Sequence, residues 1–183
     1  GGRGAGMQAD TNAYLSIAGG TIAVNASGDG LDSNGNVYIS GGTVTVSGPT
    51  NSGNGALDYN GTADVSGGTV VIAGSTGMAQ SFSETSTQAS LLYNLTSSCA
   101  AGTEIKLTDA SGKTIVSDTP DKTYQSVVIS SPDLAQGSTY TLTCGSQTVD
   151  IPLTGIITSN GQSGMGGPGQ GGQSQPQGGQ KPQ

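Results

Sequence analysis

The sequence predicts an all-β protein. Residues 1–80 read as a short parallel solenoid of about three to four turns, followed by a polar linker at 81–90, a small antiparallel β-domain at 91–158 and a tail at 159–183. Three observations predict it. A phrase recurs along the first half, as "LSIAGGT" at 15–21, "VYISGGT" at 37–43 and "ADVSGGT" at 63–69. Apolar residues inside each unit alternate with polar ones, which is the period of a strand. The composition is poor in the large side chains of an ordinary globular core, with 4% aromatic residues, 33 glycines and no tryptophan.

The repeat spacing fixes the unit. Gly20 to Gly42 is a step of 22 residues and Gly42 to Gly68 a step of 26. A second phrase interleaves with the first: "GMQA" at 6, "GLDS" at 30, "ALDY" at 56 and "GMAQ" at 77. Variation in length falls in loops, since "GPTNSGN" at 48–54 is longer than "ASGDG" at 26–30. In-register stacking gives interior columns of Met7/Leu31/Leu57/Met78, Leu15/Val37/Ala63, Ile17/Ile39/Val65, Ile22/Val44/Val70 and Val24/Val46/Ile72. Each "GGT" is then a corner between strands, where glycine tolerates a positive φ.

The repeats stop near residue 80, and "QSFSETSTQAS" reads as the polar linker. Beyond it, "TEIKLTDASGKTIVSD" predicts a hairpin turning at "DASGK", with further strands in "TYQSVVIS", "STYTLTC" and "QTVDIPL". Leu134, Gly137 and Tyr140 in "LAQGSTY" have the spacing of a tyrosine corner. This second unit is expected to cap the open strand edge of the stack. Cys99 and Cys144, the two cysteines of the chain, fit a single disulfide better than a metal site. The Gly/Gln/Pro-rich tail is expected to be disordered. The chain opens on "GGRGAGMQAD" without a start methionine, as a mature chain or a fragment does.

Charge and composition exclude several functions. A net charge of −7 with five basic residues assembles no basic patch, which argues against nucleic acid as partner. No apolar run approaches membrane-spanning length. Histidine is absent, so imidazole catalysis and ligation are out. No basic residue stands between Arg3 and Lys106, so the repeats cannot supply the Arg or Lys base that pectate lyases of solenoid shape use. A pair of carboxyl groups for glycoside hydrolysis is available among Asp10, Asp29, Asp32, Asp58 and Asp64, yet these residues recur with the repeat.

The sharpest motif is "GDGLDSNG" at 28–35, echoed by "GNGALDYNG" at 53–61. With Leu31 and Leu57 inward, Asp32 and Asp58 face outward one above the other. Carboxylates that close must be well solvated, share a proton or share a cation. Ca²⁺ is the natural cation for such oxygen donors, with Asp29, Asn34, Asn54 and Asn60 as further candidates. The alternative is that Asp, Asn and Gly are simply turn residues here. Tyr14 and Tyr38 also fall at outward positions, where their rings can stack on sugars or do nothing specific. The outward Thr21/Thr43/Thr69 column reads as strand-forming threonine.

The phrases "ISGGTVTVSGP", "GDGLDSNG", "GNGALDYNG", "GMAQ" and "YQSVVISSPDL" resemble those of bacterial cell-surface carbohydrate-binding domain-containing proteins, over roughly residues 5–150. The resemblance implies a right-handed parallel β-helix akin to polysaccharide lyases but non-catalytic, secreted or held at the cell surface. It implies Ca²⁺-assisted binding of a plant cell-wall polysaccharide such as polygalacturonate or cellulose. The positions matching its ion site are Asp29, Asp32 and Asp58. Family members usually run longer at the N-terminus. Three functions follow for testing: a non-catalytic polysaccharide binder, a structural subunit that self-associates by end-to-end stacking, and a degenerate lyase or hydrolase.

Overall fold

A computed structural model describes residues 9–161. The described chain is all-β, with thirteen strands and no helix. In chain order they are β1 (Tyr14–Ile17), β2 (Thr21–Asn25), β3 (Leu31–Ser33), β4 (Asn36–Ser47), β5 (Leu57–Tyr59) and β6 (Ala63–Gly74) in the repeats. Then come β7 (Ser90–Cys99), β8 (Ile105–Asp109), β9 (Thr114–Asp118), β10 (Tyr124–Ser130), β11 (Thr139–Cys144), β12 (Gln147–Pro152) and β13 (Ile157–Ser159).

The repeats pair in parallel and in the predicted register. β1 lies on β4 with Leu15 against Val37 and Ile17 against Ile39. β2 lies on β4 with Ile22 against Val44 and Val24 against Val46. β4 continues onto β6 through Val37–Ala63, Ile39–Val65, Val44–Val70 and Val46–Ile72. β3 and β5 form a separate two-stranded sheet, Leu31 against Leu57. The inner residues of these ladders make one buried cluster, which Phe82, Leu92 and Val128 complete from the second half. One predicted column holds only through Leu31 and Leu57: Met78 is 40% exposed rather than interior, and Met7 lies outside the described residues.

The two glycines of each "GG" serve different needs. The second has positive φ in all three units: Gly20 at 83°, Gly42 at 90° and Gly68 at 85°. The first is held by close approach in the second and third units, where a Cβ on Gly41 would stand 2.6 Å from the Ala18 carbonyl oxygen one repeat below and one on Gly67 closer still to Ser40 O, whereas Gly19 has open space. The corners are bends rather than breaks in the second and third units. There β4 and β6 run through them as twelve-residue strands with an irregular register between Ile39 and Thr43.

The predicted boundary at 81–90 does not separate two units. β10 pairs antiparallel with β6, Ser126 to Ser130 against Gly74 to Val70, so the repeat sheet runs on as β1–β4–β6–β10–β7–β13. The segment expected to be a polar linker is packed instead. Phe82 and Ala89 are buried, as are Ser86 and Gln88. Its hydroxyls and backbone close the free edge of the first half of β6. Ala63 N donates to Ser83 Oγ (2.9 Å) and Val65 N to Ser86 Oγ (3.1 Å), while Ser83 N donates back to Ala63 O (2.7 Å). The edge that an isolated stack would expose is thus satisfied by this strap along one half and by β10 along the other.

The antiparallel half is a two-layer sandwich. A four-stranded sheet, β12–β11–β8–β9, packs on the β6–β10–β7 wall through Ile105, Leu107, Val116, Leu142 and Ile151. Both faces of that wall are buried. Val70 and Ile72 face the repeats, whereas Val71 and Ala73 face the sandwich, and Val128 and Val127 divide likewise. The tyrosine corner forms as the spacing predicts: Tyr140 hydroxyl donates to Asp133 O (3.1 Å) and accepts from Ala135 N (2.9 Å), with Gly137 at φ 85°. The hairpin turn at 109–113 is pinned by Asp109 Oδ1, which accepts from Ser111 N and Lys113 N. Those bonds, the Ser111 hydroxyl first, hold the Asp109 carboxyl below its ordinary pKa. Ser159, expected in the tail, belongs to β13; residues 162–183 lie outside the described residues.

Candidate functional site

The acidic motif assembles as its repeat dictates. Asp32 and Asp58 are Cα partners on β3 and β5, flanked by the inward Leu31–Leu57 pair. Asp32 is exposed and Asp58 half-buried. Burial, followed by the charges of Asp29 and Asp32, raises the Asp58 pKa above its ordinary 3.8. Three carboxylates therefore share one electrostatic neighbourhood. Asp29 is committed to structure there, because its Oδ1 accepts Gly55 N at 2.8 Å and ties one repeat's loop to the next. Asn34 and Asn60 follow β3 and β5 directly, at the corner, and their backbones carry the stack: Asp10 N donates to Asn34 O (2.9 Å) and Asn60 N to Ser33 O (3.2 Å).

Among the described residues, no three His, Cys, Asp or Glu side chains converge closely enough to hold a metal ion. The donors at this place are oxygen throughout, which suits a hard cation such as Ca²⁺ in kind. The Asp32–Asp58 pair is the part of the set that register brings side by side.

The tyrosines occupy a different sheet. Tyr14 on β1 is 68% exposed and Tyr38 on β4 is 39% exposed, with ring centroids 6.4 Å apart and planes tilted by 55°. Tyr38 stands in register between Ser16 and Asp64. Asp64 accepts Thr62 Oγ1 (3.2 Å) and Thr85 Oγ1, the latter from the strap. The aromatic strip thus has its own carboxylate, separate from the Asp32–Asp58 ladder. The tyrosines and the Asp32–Asp58 pair, all at outward positions by alternation, therefore lie on different sheets.

Cys99 and Cys144 are neighbours and stand as free, buried thiols in this structure. Cys99 Sγ lies 3.6 Å from Cys144 O and Gln147 Nε2 donates to Cys99 Sγ at 3.5 Å. Burial pushes the Cys144 thiol up to about 11. Sequence reasoning also missed a clamp between the halves. Lys122 Nζ donates to Ala26 O and Ser27 Oγ, Asp121 N donates to Ser47 Oγ (3.0 Å), and Asn25 Nδ2 donates to Asp121 Oδ2 (3.4 Å). The signal was the scarcity of cations: a lone Lys in a polar loop of a chain with five basic residues.

No helix among the described residues is long and apolar enough to cross a membrane. No family model, no curated protein and no solved structure matches the chain.

Proposed function

We propose that this chain is a non-catalytic polysaccharide-binding module of the bacterial surface, built on a short right-handed parallel β-helix whose binding of an acidic sugar polymer is assisted by Ca²⁺. The observation that carries the reading is the in-register Asp32–Asp58 pair with Asp29 beside it, where burial first and the Asp29 and Asp32 charges next raise the Asp58 pKa. Such a cluster gains from a counter-cation. When bound there, Ca²⁺ supplies positive charge and open coordination positions for uronate oxygens. Asp32 and Asp58 supply carboxylate oxygens, Asp29 fixes the loop that presents them, and Asn34 and Asn60 set the corner behind them. Tyr14 and Tyr38 offer exposed ring faces on the adjoining sheet for stacking on a neutral stretch of chain. Binding is favoured over catalysis because the chain has no histidine and no basic residue between Arg3 and Lys106. Lys122, the cation that reaches the repeats, is occupied by Ala26 O and Ser27 Oγ.

Sedimentation with insoluble polygalacturonate tests the reading. Retention in Ca²⁺, loss of retention in a chelator, and loss in Asp58→Asn are expected. Retention that persists in the chelator removes the cation from the account, and no retention in Ca²⁺ removes the polymer.

A structural subunit is the second reading, favoured by one observation. Among the described residues β1 and β2 pair on one side only, with β4, and their core residues Leu15, Ile22 and Val24 are just half-buried. Stacking of copies through that edge predicts sedimentation coefficients that rise with concentration; a constant monomer value excludes it.

A further inference from the structure

We infer that Cys99 and Cys144 form an intramolecular disulfide that fastens the seven-stranded wall to the four-stranded sheet of the sandwich. Cys99 ends β7 in one sheet and Cys144 ends β11 in the other. The two lie 45 positions apart and are the chain's complete set of cysteines. Their surroundings bring them together: Cys99 Sγ is 3.6 Å from the carbonyl oxygen of Cys144 itself. Tyr124, whose hydroxyl donates to Thr103 O (3.2 Å), stands opposite Cys99 where β10 meets the end of β7. Cys144 is fully buried and Cys99 is 7% exposed, so a bond between different chains is sterically disfavoured.

The wall offers a route for an oxidant. β7 pairs with β10 in register from Ser90 to Asn94, then the pairing jumps to Cys99 opposite Tyr124 across an irregular stretch. A strand end behind such a break opens locally at less cost than the central ladder. Cys99 is then the sulfur that meets a small-molecule disulfide first. Its thiolate attacks one sulfur of that disulfide and releases one small thiolate. Cys144 loses its proton, attacks the Cys99 sulfur and releases the second. Two cysteine thiols are oxidised and one small disulfide is reduced to two thiols. Burial that holds the Cys144 proton makes the second step the slower one.

The test uses the full chain, reduced, desalted and incubated with oxidised glutathione at mildly alkaline pH, then denatured, alkylated and weighed intact. A monomer two hydrogens lighter, with no alkylation and no adduct, is expected. A non-reducing digest should join the peptides holding residues 99 and 144. Urea titration should show the folded-to-unfolded ratio raised by roughly 10²–10³-fold over the reduced chain, from closure of a loop of this length. Two alkylatable thiols, a persistent glutathione adduct or a disulfide dimer overturns the proposal. A bond that forms but lowers the folded fraction overturns it as well, because the native arrangement would not then accommodate it.

Discussion

Replacing Asp58 by Asn separates an ion site from a pair of turn residues, because the two readings differ in sign. Asp58 and Asp32 are cross-strand partners, so their charges sit about one strand spacing, ~4.8 Å, apart. Two unit charges at that distance repel by about 0.9 kcal/mol in bulk water, and salt and exposure reduce this toward about 0.5 kcal/mol. Asn keeps the shape and removes the charge. In a chelator, Asp58→Asn is therefore expected to be more stable than the parent by about 0.5–1 kcal/mol. With Ca²⁺ at ten times its dissociation constant the parent gains about 1.4 kcal/mol, the variant gains little, and the order reverses. The pH dependence follows from the raised pKa of Asp58. Folding favours its protonated form, so the penalty stands at neutral pH and fades as pH falls through the raised value toward 3.8. The gap between variant and parent in chelator should close over that acid window. Urea titrations with and without Ca²⁺, at low and high salt, measure all of this. A variant less stable than the parent in chelator, or a parent indifferent to Ca²⁺, refutes the reasoning.

Three other perturbations probe the frame. Tyr140→Phe leaves Asp133 O and Ala135 N without their buried partner and is expected to cost about 1–3 kcal/mol in urea, while Tyr14→Phe, on an exposed ring, should stay within about 0.5 kcal/mol of the parent; equal losses would contradict the corner's role. Gly42→Ala meets both a positive φ and a contact 2.7 Å from Gly20 O, whereas Gly20→Ala meets only the φ. The first should lower stability by more than about 2 kcal/mol and the second by about 1 kcal/mol, with a reversed order counting against the stacking register. Lys122→Met removes the clamp on Ala26 and Ser27, so amide exchange should quicken around residues 25–28 and stay unchanged at Val44 and Val70.

Much of the repeat half was legible because stacking makes equivalent residues neighbours. Leu31 over Leu57, Ile17 over Ile39 over Val65, and the positive φ of Gly20, Gly42 and Gly68 all follow from spacing and alternation. The junction was not legible from that pattern. Ser83 and Ser86 look like linker residues in a sequence, since hydroxyl bonds to a strand edge leave no periodic trace. The run "TVVIAG" did carry a signal. Val71 and Ala73 replace Thr45 and Ser47 at outward positions, and an apolar residue on the outward face announces a second layer. Met78 misled because it follows a glycine as Met7 does, yet the third turn closes on Phe82 instead. At the site, the Asp32–Asp58 pairing was readable from register, whereas the commitment of Asp29 to Gly55 and the separation of tyrosines from the Asp ladder depend on loop paths.

Because β6, β10 and β7 serve two interiors at once, neither half of this molecule has a private boundary. Excising the sandwich would strip Val71 and Ala73 of their cover, and excising the repeats would do the same to Val128 and Leu92. Heat should accordingly melt the whole in one step, and a protease should find no seam near residue 85 at which to part it. Any recombination that moved these halves between proteins would have to exchange the pair as a single cassette.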